Sequence, residues 1–376
     1  MALAVWFSKP AAAGCPWLAR KSIWPSSRVL LLRGKPLGLR HERNVPDRHG
    51  WCAMTPDVFA EWLRCQGQKV VRTASAYWHS QGPRVFQAFP YHWIVRPSEE
   101  ELRSLLREQG IIAVRYSTAP DAPLGCLSYH VVYERPTYDF EDLGKRTRKN
   151  VRRGLRNCAV EQVPFELLAR EGWALEQDTL ERQGRHVGVS REDWRRRCES
   201  AATLPGFEAW GALVEGALAA SVTAFQMGDC CYLLSQQCRQ EFLTVNVNNA
   251  LSFVVTKAMR GRPGVRTIFY GLHSLDAPAS VDEFKLHMGY MAKPVRQRVV
   301  FHPRLGPVFN PVTHALLKFM KRLRPGNPML SKAEGMVRFY IEGKRPAEQQ
   351  RVPEALRGLA LEGRAPGLSA QSLNGD

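Results

Sequence analysis

No apolar run in the 376 residues approaches the ~20 that a membrane-spanning helix needs. Val29–Leu32 is far too short for the core of a signal peptide. The nine cysteines include no CxxC pair, and Cys230-Cys231 with Cys238 lack zinc-finger spacing. No metal is therefore expected, and reduced thiols in a cytoplasmic protein account for the set. No GxSxG is present and no Cys/His arrangement has useful spacing, so nothing points to a covalent nucleophile. Acid is also scarce: 35 Asp and Glu against 53 Lys and Arg leave a formal charge of +18. Such a balance suits an anionic partner, namely RNA, a phosphorylated cofactor or a membrane surface. Because the arginines run along the whole chain, solvated faces of an ordinary soluble protein explain the charge as well.

The stretch from Met1 to Arg40 has no acidic residue at all. It reads as a transit-peptide-like leader or an overlong start, expected to be disordered over residues 1–53. Folded sequence is expected from Met54, where Thr55 can cap a helix with Pro56 at its first position. A helix to Gly67, strands over Lys69–Ala74, Arg84–Ala88 and Tyr91–Val95, a helix over Ser98–Glu108 and a strand over Ile111–Tyr116 form a first α/β unit, residues 54–135. Ser98 and Glu101 have the spacing of a capping box.

A second unit, residues 136–304, opens on a basic helix from Leu143 to Asn157. Leu143, Thr147, Val151 and Leu155 share one face, and seven cations cover the rest. Helices follow over Phe165–Gln183 and Ser190–Ala201. The period then changes to three strands, Glu208–Glu215, Ala217–Gln226 and Cys230–Cys238, joined by tight turns at Gly216 and Gly228. A helix over Asn246–Met259, a strand over Val265–Tyr270, a helix over Ser280–Met288 and a strand over Pro294–Phe301 complete it. Helices are expected over residues 305–345 and a disordered, Gly- and Pro-rich tail over 346–376. Leu316–Arg324 has the pattern of a basic amphipathic helix, suited to packing on the domain or to a membrane surface.

This order resembles that of the GNAT acyltransferase fold: α/β, a mixed central sheet with flanking helices, a degenerate first half and a complete second half. The segment Leu143-Gly-Lys-Arg-Thr-Arg-Lys-Asn-Val-Arg-Arg-Gly-Leu155 is similar to the basic helix that opens the second half of Fem-like transferases. Val265-Arg-Thr-Ile-Phe-Tyr-Gly271, followed by Phe284-Lys285 and Gly289, resembles their strand, loop and Phe-Lys…Gly signature. The resemblance implies an N-acyltransferase that uses an acyl-CoA or an aminoacyl-tRNA. Its acceptor is an amine-bearing small molecule, peptide or cell-wall precursor. One departure concerns the donor: Arg239–Asn249 contains no glycine where CoA-binding members of the wider fold carry a Gly-rich pyrophosphate loop. Acyl-CoA is thus a candidate co-substrate, with no permanently bound cofactor expected.

The loop after Tyr270 holds the candidate chemistry. His273 can take an amine proton near neutral pH and Asp276 can orient it. The resemblance puts Lys285 near a donor phosphate or the developing oxyanion. Arg182 and Arg185 can hold an acceptor carboxylate or phosphate beside Tyr270, although Asp178 and Arg182 also have ion-pair spacing. Asn246, Asn248 and Asn249 mark a helix start suited to a donor anion or to simple capping. Tyr232, Ser235 and Gln237 alternate along one strand and can line a donor cleft. Arg152 and Arg153 offer an anion-binding stripe, which on a non-catalytic chain would bind RNA.

Overall fold

The computed structural model describes residues 54–82, 84–184, 189–275, 279–324 and 327–361. The expected leader, Arg185 and Asp276 lie outside the described residues.

The first part of the chain folds as α1 (Pro56–Cys65), β1 (Val70–Arg72), β2 (Tyr77–Gly82), β3 (Val85–Phe89), α2 (Glu99–Glu108), β4 (Ala113–Thr118) and β5 (Cys126–Tyr133). Next come α3 (Lys145–Asn157), β6 (Ala159–Val163), α4 (Phe165–Arg182) and α5 (Arg191–Thr203). The meander is β7 (Phe207–Val214), β8 (Ala217–Met227) and β9 (Cys230–Cys238), followed by α6 (Val247–Arg260), β10 (Thr267–Leu272), α7 (Ala279–His287) and β11 (Met291–Phe301). The chain continues as α8 (Pro311–Leu323), α9 (Pro328–Glu342) and α10 (Glu354–Leu361).

The strands form one mixed sheet in the order β1-β2-β3-β4-β11-β5-β10-β9-β8-β7-β6. The expected division at residue 135 does not divide this sheet, because β11 inserts between β4 and β5 and pairs antiparallel with both. The all-buried run Cys-Leu-Ser-Tyr-His-Val-Val-Tyr of β5 was not anticipated as a strand; every residue in it is enclosed, as suits a central strand covered on both faces. Tyr91–Val95 is not a strand: Trp93 N–H closes a turn on the Pro90 carbonyl, and Val95 N–H reaches the Ser117 carbonyl.

Helices cover both faces. On one, α3 and α6 pack over β7–β10 around Val151, Leu251, Val255 and Ile268. On the other, α4 and α5 close over Leu168, Leu175, Trp194 and Leu218. Phe59 and Trp62 of α1 meet Phe207, Phe225 and Tyr232, so the first helix is built into the core of the second half. Burying each such ring contributes about 1.5–3 kcal/mol. The start of the expected tail is folded: Gln350 bonds Leu127 N–H and the Gly125 carbonyl, and Val352 and Leu356 are buried in the main core.

Two local expectations are corrected by packing. Ser98 Oγ accepts from Glu101 N–H, but the Glu101 carboxylate turns away to Ser75 N–H and Oγ, so the capping is one-sided. The buried face of α3 ends on Gly154 and leaves Leu155 exposed. A Cβ on Gly154 would lie 2.4 Å from the Asn246 carbonyl oxygen, and only a glycine lets α3 approach the start of α6 so closely.

Candidate active site

β9 and β10 run parallel but pair only from Cys230 to Tyr232 against Thr267 to Phe269. Beyond that point β9 follows β8 and β10 follows β5, so the two strands fork. A bulge sits on each arm. Leu234 is the extra residue of β9, between Leu233 and Ser235, which face Ala224 and Thr223. Tyr270 is the extra residue of β10, between Phe269 and Gly271, which face Val132 and Val131. Bulges of this kind re-aim side chains and end pairing next to functional sites. Gly271, at φ +151°, takes a backbone conformation that other residues rarely adopt, and its missing Cβ faces Lys285.

Two cavities meet at the fork and share Leu233, Leu234 and Tyr270. One, of about 350 Å³, is mainly apolar and runs between β3, β10 and α9, against Phe86, Phe269, Leu275 and Met336. The other is a more polar cleft of about 580 Å³ with Glu176, Arg182, Ser235, Gln236, Asn248 and Lys285 in its wall. Six predicted site residues thus come together in the cleft: Lys285, Tyr270, Ser235, Gln237, Asn248 and Arg182.

Their bonds separate scaffolding from open valence. Tyr270 O–H donates to Gln236 Oε1, tying one arm of the fork to the other. Gln236 Nε2 donates to Asn248 Oδ1 at 3.2 Å and Ser252 Oγ at 3.0 Å, which fixes both arms to α6. Arg182 is held in place: Nη1 donates to Asp178 Oδ1 at 3.1 Å and to the Cys238 carbonyl at 3.2 Å. The intrahelical pair therefore prevails, and Arg182 braces α4 on the end of β9. Burial pushes the Cys238 thiol up to about 12, so it stays protonated in this wall.

Lys285 Nζ donates to Asp282 Oδ1 at 2.9 Å and lies 5.2 Å from the centre of the Tyr270 ring. The other Asp282 oxygen accepts from the Tyr129 hydroxyl at 2.8 Å. Tyr129 stacks on His273 with ring centres 4.4 Å apart, and His273 Nδ1 meets Ser128 Oγ at 3.2 Å. Burial lowers the His273 imidazole to about 4, against the pull of Asp282. His273 stands behind Tyr129, and its burial makes it a weaker base than an ordinary imidazole.

Other expected residues fall elsewhere. Tyr232 lines the apolar cavity and its hydroxyl bonds His92 Nδ1; the Leu234 bulge leaves it on the same face of β9 as Ser235, but on the paired side of the fork. Asn246 does not cap α6 with its side chain; it is left-handed, at φ 63°. Asn249 Nδ2 approaches Met288 Sδ at 3.5 Å, away from the cleft. Arg152 and Arg153 are exposed on α3, Arg152 with its guanidinium over the Phe140 ring.

The residue missed from the sequence is Glu176. It lies in the cleft wall, its Oε2 is buried with no hydrogen-bond partner, and burial raises its carboxyl, opposed by Arg197. Ser235 Oγ, in the same wall, is also buried without a partner. The signal was a carboxylate at i+4 from Gly172 and i−3 from Thr179, on the edge of the buried face of α4.

No family model matches the chain, and no curated protein matches it in sequence. In fold it is similar to FemX, at 11% identity over 67% of this chain and 93% of that one, with a TM-score of 0.47. It is similar to the C-terminal DUF2156 domain of a putative lysylphosphatidylglycerol synthetase from Agrobacterium fabrum, at 14% identity over 71% and 93%, TM-score 0.45. A tandem GNAT protein from the clavulanic acid biosynthesis pathway gives 12% identity over 62% and 82%, TM-score 0.40.

Proposed function

We propose that the chain is an N-acyltransferase whose donor carbonyl lies at the fork of β9 and β10 and whose amine acceptor enters through the polar cleft. The observation that carries this reading is the pair of unpartnered buried atoms, Glu176 Oε2 and Ser235 Oγ, in the wall of that cleft. Buried polar atoms are normally bonded, and each exception calls for a missing partner. A primary ammonium is the kind of donor such acceptors take.

In the proposed step the ammonium gives a proton to the Glu176 carboxylate. The freed amine attacks the donor carbonyl, a C–N bond forms, and the C–S bond of a thioester or the C–O bond of an aminoacyl ester breaks. The second amine proton passes to the departing thiolate or alkoxide. A carboxyl raised by burial is a better base for this exchange than an ordinary one. Lys285 faces the developing oxyanion, its position fixed by Asp282. Placement of the two reactants supplies much of the remaining rate.

Both donor classes remain in the proposal. The segment that lacks glycine folds as a 3₁₀ helix, Gln240–Val245, leading into α6. α3 packs against the start of α6, and its seven cations stand beside it with no carboxylate in the helix. That arrangement favours a polyanionic donor, as phosphates of CoA or of tRNA.

The test is an acyl-transfer assay with purified full-length protein. Acetyl-CoA, longer acyl-CoAs and a mixed aminoacyl-tRNA pool are offered with a panel of amines, and products are read by mass. Transfer that Glu176→Gln abolishes supports the proposal. Transfer that survives Glu176→Gln and Lys285→Ala together moves the chemistry elsewhere.

A further inference from the structure

α8 turns a continuous apolar stripe to solvent. Val312, Leu316, Phe319 and Leu323 recur at i, i+4, i+7 and i+11, which places them within about 40° of one line on the helix. They are 77%, 52%, 56% and 66% exposed. Side chains of this size, ordered on one face, mark an interaction surface.

The helix is already seated by its opposite face. Leu317 is its buried residue and packs with Phe301, Val337 and Phe339. His314 Nε2 lies 3.0 Å and Lys321 Nζ 3.5 Å from the buried carboxylate of Glu334 on α9. The apolar stripe is therefore left over after α8 has docked.

Charge selects what covers it. α8 contains no acidic residue. Lys321 shares the Glu334 carboxylate with Arg338 and His314, but Lys318, Arg322 and Arg324 are exposed and, among the described residues, pair with no carboxylate. Lys318 and Arg322 flank the stripe along one side. A polar face rich in cations beside Leu, Phe and Val is the pattern of a helix lying in the interface of an anionic bilayer. Among the described residues no helix is long and apolar enough to cross a membrane.

We propose that α8 is a membrane-surface anchor that takes an anionic lipid bilayer. α9, on which α8 rests, contributes Met329, Lys332 and Met336 to the apolar cavity at the fork. Bound in this way, the protein holds that cavity one helix away from the lipid surface. The anchor is independent of the transferase reading and stands or falls separately.

The experiment is co-sedimentation of the full chain with vesicles of phosphatidylglycerol and phosphatidylcholine, and with phosphatidylcholine alone. Binding to the anionic vesicles is expected, weakened by salt, and at least tenfold tighter than to the neutral ones. Leu316→Asp with Phe319→Asp, and separately Lys318→Glu with Arg322→Glu, are each expected to weaken binding at least tenfold. All four side chains are exposed, so thermal unfolding should not change. No binding, or equal binding by wild type and the Asp variant, overturns the proposal. So does a dimer in light scattering that the Asp variant dissolves, since a second copy would then cover the stripe. Equal binding to neutral vesicles overturns the anionic assignment.

Discussion

Lys285 and Asp282 face each other across one turn of α7, with Nζ 2.9 Å from Oδ1, and each serves a second partner. Asp282 also accepts from Tyr129 O–H, while Lys285 also stands over the Tyr270 ring. The lysine is thus held at the fork by a carboxylate that is itself anchored to the central strand β5. Both side chains are mostly buried, so solvent screens the pair only partly.

Removing either partner should therefore cost in two ways. Lys285→Ala is expected to lower kcat about 10²–10³-fold, the usual loss of one oxyanion donor. Asp282→Asn leaves the lysine present but unanchored, with a smaller loss in kcat and a fall in stability of about 1–3 kcal/mol. Steady-state kinetics beside thermal unfolding separate the two. Equal kcat for Lys285→Ala and wild type would remove the lysine from the site.

Glu176 carries an opposite stability sign. Its folded carboxyl is raised, so the folded state holds the proton more tightly than the unfolded one. Stability from this group is present below the unfolded value and is lost as pH rises through the folded one. Glu176→Gln should melt higher than wild type at neutral pH while turnover falls about 10²–10⁴-fold. The acid limb of the wild-type rate profile should lie above the ordinary carboxylate range. Lower thermal stability in the variant would argue that the carboxylate is structural.

Acid should unfold the protein early. Burial lowers His79 and His130 to about 3 and His92 and His273 to about 4, from an ordinary value of 6.5. The unfolded chain takes up these protons first as pH falls below 6.5, so stability declines steadily from there towards pH 4. Each histidine contributes up to about 1.4 kcal/mol per pH unit. Denaturant melts across this range measure the slope, and His273→Gln should reduce it by about one proton. A flat profile would contradict the burial of these rings.

Gly154→Ala tests the close approach of α3 and α6. The added methyl meets the Asn246 carbonyl at 2.4 Å and backbone must move. A loss of about 1–3 kcal/mol is expected from such overpacking, read by chemical denaturation. Weaker donor binding should accompany it if α3 flanks the donor site.

Arg152→Glu with Arg153→Glu distinguishes the donors. With aminoacyl-tRNA, KM should rise and the salt slope of binding should fall by about two phosphate contacts. An unchanged salt slope would leave α3 as an ordinary solvated helix.

Most elements were legible because their signals are local. Ser190 before Asp193 fixes the start of α5, and the turns at Gly216 and Gly228 fix the meander to within a residue or two. Leu143–Leu155 declared its helix by period and its cations by composition. What the chain alone determined is therefore most of the helices and the meander, the basic character of α3, and the lysine that follows the strand closed by Gly271, whereas β2, β5 and β6 carried no such local signal. Only the tertiary structure decided that β11 separates β4 from β5, since strand partners lie far apart in sequence. The bulges at Leu234 and Tyr270 likewise depend on neighbours across the sheet, and they decide which side chains face the fork. His273 is a weakened base and Glu176 is strained towards its protonated form for the same reason. Burial belongs to the packed molecule, and no pattern of neighbours along the chain prints it.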